Sequence, residues 1–256
     1  MSKVEVITAR DNPQLQRIRK LAADSGAYRK LGSVWLEGDH LARAALARSR
    51  RPQLALATEA AYASHRDLLD AAPRVLVISP QLFKTISGLE SPAQLGFQMA
   101  WDTLTTIAPQ ADTVVLDRLQ DAGNVGTLLR SAAALGFGQV LAIKGTAALW
   151  SPKVLRAGMG AHFGLRLIEG LAVDDLAALE VPLIATSSYA QTMLHQAALP
   201  NPCAWVMGHE GQGVQEALMR RCALTLAIPQ PGGEESLNVG VAAAICLYES
   251  ARQRLV

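Results

Sequence analysis

The 256-residue chain is 50% hydrophobic and 18% charged with a net charge of +2, a globular composition with room for a sizeable core. No apolar run approaches the roughly 20 residues of a membrane-spanning helix, and the polar opening MSKVEVITARDNPQ reads as folded chain rather than a signal peptide. Cys203, Cys222 and Cys246 lie far apart in apolar runs and the five histidines show no ligand spacing, which predicts buried free thiols, a reducing cytoplasmic compartment, no membrane and no metal.

In chain order, Asn12 caps a predicted helix that opens with Pro13 and stops near Gly26. A strand over 33–37 and a helix over 38–49 follow, then strand–helix pairs at 53–57 with 59–71 and at 75–78 with 81–86, and a closing strand over 95–101. These elements form a small α/β domain over residues 1–101, and 102–112 reads as a linker. From 113 to 256 the alternation resumes. Apolar strands are predicted at 113–117, 139–143, 165–168, 183–187, 204–207 and 224–228, with helices at 125–135, 152–157, 173–179 and 214–221. Continuous apolar strands between helices imply a mostly parallel sheet covered on both faces. Ligands of such sheets bind beyond the carboxyl ends of the strands, where the polar and glycine-rich residues of this half gather.

Three strand-end motifs stand out. In LDRLQDAGNVGTLLR (116–130), Asn124 is expected to cap the next helix and Arg130 to face back toward the loop. An arginine in an apolar helix is costly to bury without an anion; either an ion pair with Asp117 or Asp121, or a ligand phosphate or developing anion, would answer it. The second motif, WVMGHEGQGV (205–214), has G-x-x-G-x-G spacing, and the glycines of 158–164 also miss G-x-G-x-x-G by one residue. With no P-loop either, a nicotinamide dehydrogenase is disfavoured. In the third, IPQPGGEESLNVGVAAAICLYE (228–249), a proline- and glycine-rich turn enters an alanine-rich helix that Ser236 is expected to cap, with Asn238 in its first turn. Backbone N–H groups there suit an electron-rich ligand, and Gly240, Ala242, Ala243 and Ala244 allow another backbone close. An ordinary loop before a buried helix would look similar.

Charge is unevenly spread. The first 51 residues hold 11 Lys and Arg against 5 Asp and Glu, while residues 111–256 hold 10 against 12. A basic end points to a polyanionic partner there, although a solvated helix surface has the same composition. The 5% aromatic content argues against a base-stacking sheet.

Taken together, NVGTLLR (124–130), GHEGQGV (208–214) and IPQPGGEESLNV (228–239) resemble the three motifs of the SpoU/TrmH branch of the SPOUT RNA methyltransferases. The resemblance covers about residues 111–256. More loosely, EGDH (37–40) and SPAQLG (91–96) match the ribosomal-protein-like RNA-binding domain that precedes the catalytic domain in many members. This likeness implies a C-terminal SPOUT domain with a trefoil knot over 113–256, a homodimer, S-adenosylmethionine as methyl donor, and a ribose 2′-hydroxyl of ribosomal or transfer RNA as acceptor. A base-nitrogen methyltransferase and a non-catalytic RNA-binding protein on the same scaffold are the alternatives. Carried over by motif, Gly208, Ile228 and Leu237, with Thr186 nearby, would contact the donor. Arg130, Asn124, Glu210, Ser236 and Asn238 would surround the target ribose. The chain departs from the family pattern at Gln230-Pro231, where many members have Met and another residue, and at Gly240, where Ser is common.

Overall fold

A computed structural model describes residues 2–233 and 236–255; Glu234 and Glu235 of the third motif lie outside the described residues. The chain divides into two units, Met1–Asp102 with Trp150–Phe163, and Thr103–Leu149 with Gly164–Val256.

Unit 1 opens with β1 (Lys3–Val6) and α1 (Pro13–Ala23). As the sequence predicts, Asn12 caps α1: its side-chain oxygen accepts from the backbone N–H of Gln14 at 2.9 Å and of Leu15 at 3.4 Å. Next come α2 (Ala27–Leu31), β2 (Ser33–Glu37), α3 (Asp39–Ala47) and β3 (Pro52–Thr58). The helix expected over 59–71 is two, α4 (Glu59–Ser64) and α5 (Arg66–Leu69), because His65 between them leaves the helical conformation at ψ 33°. The unit is completed by β4 (Arg74–Ile78), α6 (Pro80–Lys84) and β5 (Leu95–Ala100). Its sheet runs β1-β4-β3-β5-β2, with β1, β4 and β3 parallel and β5 antiparallel to both neighbours. Periodicity did not reveal β1 or α2. The first is a four-residue edge strand that leaves Val4 and Val6 exposed, and the second has five residues.

Beyond it the chain forms β6 (Thr113–Leu116), α7 (Ala122–Ala134) and β7 (Gln139–Ile143). The following α8 (Pro152–Gly158) belongs to unit 1, where it packs against α1 and β2. Thus residues 150–163, which the sequence places in the second domain, group with the first. Then come β8 (Arg166–Leu171), β9 (Leu183–Thr186), β10 (Thr192–Met193), β11 (Ala204–Met207), α9 (Glu216–Met219), β12 (Leu224–Ala227) and α10 (Val239–Arg254). The helix expected over 173–179 is a 3-10 turn, Asp174–Ala178, and that over 214–221 shrinks to α9.

The second sheet, β10-β12-β9-β11-β6-β7-β8, is parallel at every pair. Side chains alternate across it. Val115, Leu141, Ile168, Ala185 and Val206 share one core cluster. Trp205, on the opposite face, donates from its indole N–H to Ser250 of α10 at 2.9 Å. That helix packs along α7, which is where its small residues find a close partner. Two 2.7 Å hydrogen bonds from Arg254 to Asp112 hold its far end. The thiols follow their surroundings: burial pushes Cys203 up to about 11 and Cys246 to about 12. Cys222 is only half-buried, a correction to the expectation, and burial still raises it to about 11.

Candidate functional site

The carboxyl ends of β9, β11 and β12, which are adjacent in the sheet, meet the start of α10 around an open cleft of about 360 Å³. The loop after β11 is closed by its own hydrogen bonds. His209 and Gly213 pair backbone to backbone at 3.0 and 2.8 Å, and the His209 Nδ1 accepts from the N–H of Gly211 at 3.0 Å and Gln212 at 3.3 Å. A Cβ at Gly208 would lie 2.3 Å from the carbonyl carbon of Gly213 and the nitrogen of Val214. Only glycine admits that backbone crossing, and the turn it allows carries Glu210.

After β12 the chain passes Ile228 and Pro229 and turns, the Gly233 N–H reaching the Gln230 carbonyl at 3.1 Å. Asn238, not Ser236, caps α10. Its Oδ1 accepts from the N–H of Gly240 at 2.9 Å and of Val241 at 3.3 Å, while Ser236 lies two residues earlier, exposed, on the cleft wall. A similar shift occurs at the first motif. The cap of α7 is Asp121, whose Oδ1 accepts from the Asn124 N–H at 2.7 Å. Asn124 is therefore inside the first turn, and its carboxamide is free for other work.

That carboxamide joins the three motifs. Its Nδ2 donates to Glu210 Oε1 at 3.3 Å, and its Oδ1 accepts from Asn238 Nδ2 at 2.9 Å. Glu210 also accepts from the backbone N–H of Gln120 at 3.3 Å and of Asp121 at 3.2 Å. Desolvation works to raise the Glu210 pKa, but hydrogen bonds from its own backbone, Asn124, Asp121 and Gln120 outweigh it and hold the carboxyl below its ordinary value. A carboxylate so stabilised is a weak base and a firm anchor.

Beneath this chain lies a brace that sequence reading did not assign to the site. Asp117, wholly buried at the end of β6, accepts from the Gln215 N–H at 2.7 Å and side-chain Nε2 at 2.5 Å, and pairs with Arg118 at 2.9 Å. Arg118 in turn donates to Gln212 at 3.0 Å, and the Asp117 carboxylate raises its pKa further. The only sequence signal was an acid at the end of an apolar strand.

Thr186, Gly208, Ile228 and Leu237 all line the cleft, together with Glu210, Ser236 and Asn238. Asn124 joins through its hydrogen bonds. Arg130 stands apart. It is six residues beyond Asn124 on α7, about 9 Å along the axis, is not among the lining residues, and is exposed with no hydrogen bond or ion pair among the described residues. The ion pair with Asp117 or Asp121 is absent: Asp117 is engaged by Arg118 and Gln215, and Asp121 caps the helix. Among the described residues lining the cleft there is no Lys or Arg, and Glu210 is the one carboxylate.

The SpoU rRNA methylase family model matches residues 112–248. Over 228 residues the chain is 30% identical to a 23S rRNA guanosine 2′-O-methyltransferase of Bacillus subtilis, covering 86% of this chain and 88% of that protein. It is also 29% identical to an uncharacterized tRNA/rRNA methyltransferase of Synechocystis, over 99% of this chain and 96% of the relative. Among solved structures, an RNA 2′-O-ribose methyltransferase matches with a TM-score of 0.83 and 30% identity, over 98% of this chain and 100% of the other. An AdoMet-bound rRNA methyltransferase from Sinorhizobium meliloti matches with a TM-score of 0.86 and 25% identity, over 99% of both chains.

Proposed function

The chain belongs to the SpoU rRNA methylase family, and from that membership we infer that it transfers a methyl group from S-adenosylmethionine to a ribose 2′-hydroxyl of structured RNA, ribosomal RNA in preference to transfer RNA. One observation carries the reading: hydrogen bonds from Asn124 to Glu210 and Asn238 gather all three motif loops at a single cleft.

The cleft residues fit the methyl donor. With no Lys or Arg among the described residues of its walls and with the Glu210 carboxylate present, the cleft suits a cationic ligand and is poorly made for a phosphate-bearing cofactor. Val214, Ile228, Leu237 and Val239 offer apolar surface, and the backbone crossing at Gly208 makes a close-fitting wall. Gly208, Ile228, Leu237 and Thr186 would hold the donor. When bound, S-adenosylmethionine supplies an electrophilic methyl group on a sulfonium. The chain's own contribution is position and charge. Asn124, Glu210, Ser236 and Asn238 orient the ribose, with Glu210 acting as anchor rather than proton acceptor. Arg130 is cationic at any working pH and unpaired among the described residues, so its guanidinium is available to grip the neighbouring phosphate and offset charge developing on the hydroxyl oxygen.

The finer assignments belong to the same proposal. Residues 1–101 bind RNA, 102–112 connect, and 113–256 catalyse. Arg10, Lys20, Lys30, Arg48 and Arg51 support the first assignment, being exposed and without carboxylate partners among the described residues. The protein works in the cytoplasm as a homodimer through α7 and α10. Support comes from α10, which packs one face on α7 yet leaves Val241, Ile245 and Tyr248 exposed at helical spacing. A trefoil knot through the loops after β9, β11 and β12 is in keeping with the interleaved order of those strands.

Nucleoside mass spectrometry of ribosomal and transfer RNA, incubated with the protein and isotopically labelled S-adenosylmethionine, tests the reading. The label is expected in a 2′-O-methylnucleoside; label in a base, or none, would refute it. Sedimentation showing an active monomer at micromolar concentration would remove the dimer.

A further inference from the structure

Gln230 is a cleft residue with a buried side-chain oxygen that no donor among the described residues satisfies. It lies on the wall beside Ile228, and its backbone carbonyl is taken by the Gly233 N–H that closes the turn. The side chain, in contrast, makes no hydrogen bond among the described residues, and its Oε1 is buried without a donor. A buried acceptor with no partner is costly and rare in native proteins. Gln230 lines a cleft suited to a ligand, and a turn of its side chain would bring that buried oxygen out to meet the missing donor there.

We propose that the Gln230 carboxamide reads the N6/N7 edge of the methyl donor's adenine, its Oε1 accepting from the exocyclic amine and its Nε2 donating to N7. The inference rests on the donor reading above and adds a specificity-determining residue to it. A primary amide sets an acceptor beside a donor, and an adenine edge sets a donor beside an acceptor, so the two pair in bidentate fashion. An ammonium offers donors alone and would leave the Nε2 unmatched. The neighbouring side chains agree with a flat base: Ile228, Leu237 and Val214 line the same cleft and give apolar surface on which a ring can lie. Gln230 also stands where many family members carry Met, an unbranched side chain of similar length without either hydrogen-bonding group. Adenine recognition through this side chain is thus a property of this sequence.

The test is calorimetric titration of the full chain with S-adenosylhomocysteine and with S-inosylhomocysteine, in which a carbonyl replaces the amine and meets Oε1 with a lone pair. Wild type is expected to prefer the adenine compound. Gln230→Met keeps the length of the side chain and is expected to lose about tenfold of that preference, the scale of one bidentate amide–adenine pair. Gln230→Glu retains an acceptor for the amine but not the second donor, and is expected to fall between them. An unchanged preference in both variants, with melting midpoints near wild type, would overturn the proposal; if one variant unfolds, the other decides. Failure of wild type to bind S-adenosylhomocysteine at all would overturn the donor reading and this inference with it, which distinguishes the two failures.

Discussion

Asn238 donates from Nδ2 to the Oδ1 of Asn124 at 2.9 Å, across 114 residues of sequence. The direction of that bond is fixed by what lies on either side. The Asn238 Oδ1 is committed to the N–H groups of Gly240 and Val241, so its amine must face Asn124. The Asn124 oxygen must then accept, which turns its own amine toward the Glu210 carboxylate. Helix cap, amide and carboxylate therefore form one polarised chain with a single consistent orientation.

Asn238→Asp tests that chain directly. Aspartate caps a helix as well as asparagine does, so α10 is expected to keep its start. At Asn124, however, an acceptor now meets an acceptor. Flipping the Asn124 amide only moves the conflict to Glu210. An unsatisfied pairing of this kind costs about 1–3 kcal/mol, and turnover is expected to fall roughly 5- to 150-fold by that same measure. Wild-type kcat on substrate RNA would show that the orientation of the amides is irrelevant to the reaction.

At Gly208 the constraint is steric. An added Cβ would sit 2.3 Å from backbone atoms of Gly213 and Val214, which cannot rotate away as a side chain could. Gly208→Ala is expected to force the loop open, costing about 1–3 kcal/mol as overpacking does. Because the same loop walls the cleft and carries Glu210, affinity for S-adenosylhomocysteine should fall with it. Urea denaturation and calorimetry on one preparation would check both; intact donor affinity would show that this wall is not part of the donor site.

Much of this site is legible in the sequence because apolar runs fix the strands and the motifs follow their ends. What failed to read out depended on choices between similar residues. Asp121 and Asn124 are three residues apart and both are good caps, as are Ser236 and Asn238; in the fold Asp121 caps α7 and leaves the Asn124 amide for Glu210 and Asn238, while Asn238 caps α10 with its oxygen and reaches Asn124 with its amine. Local spacing cannot report that. Nor can it report that α8 packs on α1 and β2, a contact between segments more than a hundred residues apart. The arginine at 130 was expected to need an anion because its helix is apolar, yet it projects from the exposed side of α7, so no internal partner is required.

The C-terminal helix carries a measurable pH response. Glu249 accepts from Arg252 at 2.7 and 2.8 Å and from Gln253 at 2.8 Å. Chiefly through Arg252, its pKa falls from 4.5 to about 2. Since the folded value lies below the unfolded one, the stabilisation is complete above 4.5 and is lost as pH falls from there toward about 2. Glu249→Gln is expected to melt lower than wild type at neutral pH and to lose less stability across that acid window. Parallel melting curves in the two proteins over the window would show that Glu249 contributes nothing to it.

Arg130 offers the sharpest separation between binding and chemistry. Its side chain is exposed and has no partner among the described residues, so truncation is expected to change stability by no more than about 0.5 kcal/mol. It also lies outside the cleft lining, so affinity for S-adenosylhomocysteine should stay near wild type. Turnover should not. Loss of one donor that stabilises developing charge typically costs about 10²–10³ in rate, and Arg130→Ala is expected in that range. Arg130→Lys keeps the charge without the planar fork that can hold a phosphate and the ribose oxygen together, and is expected to recover little. Single-turnover methylation alongside calorimetry distinguishes the outcomes. Collapse of donor binding would make Arg130 part of the donor site, and near-full turnover in the lysine variant would reduce its role to that of a point charge.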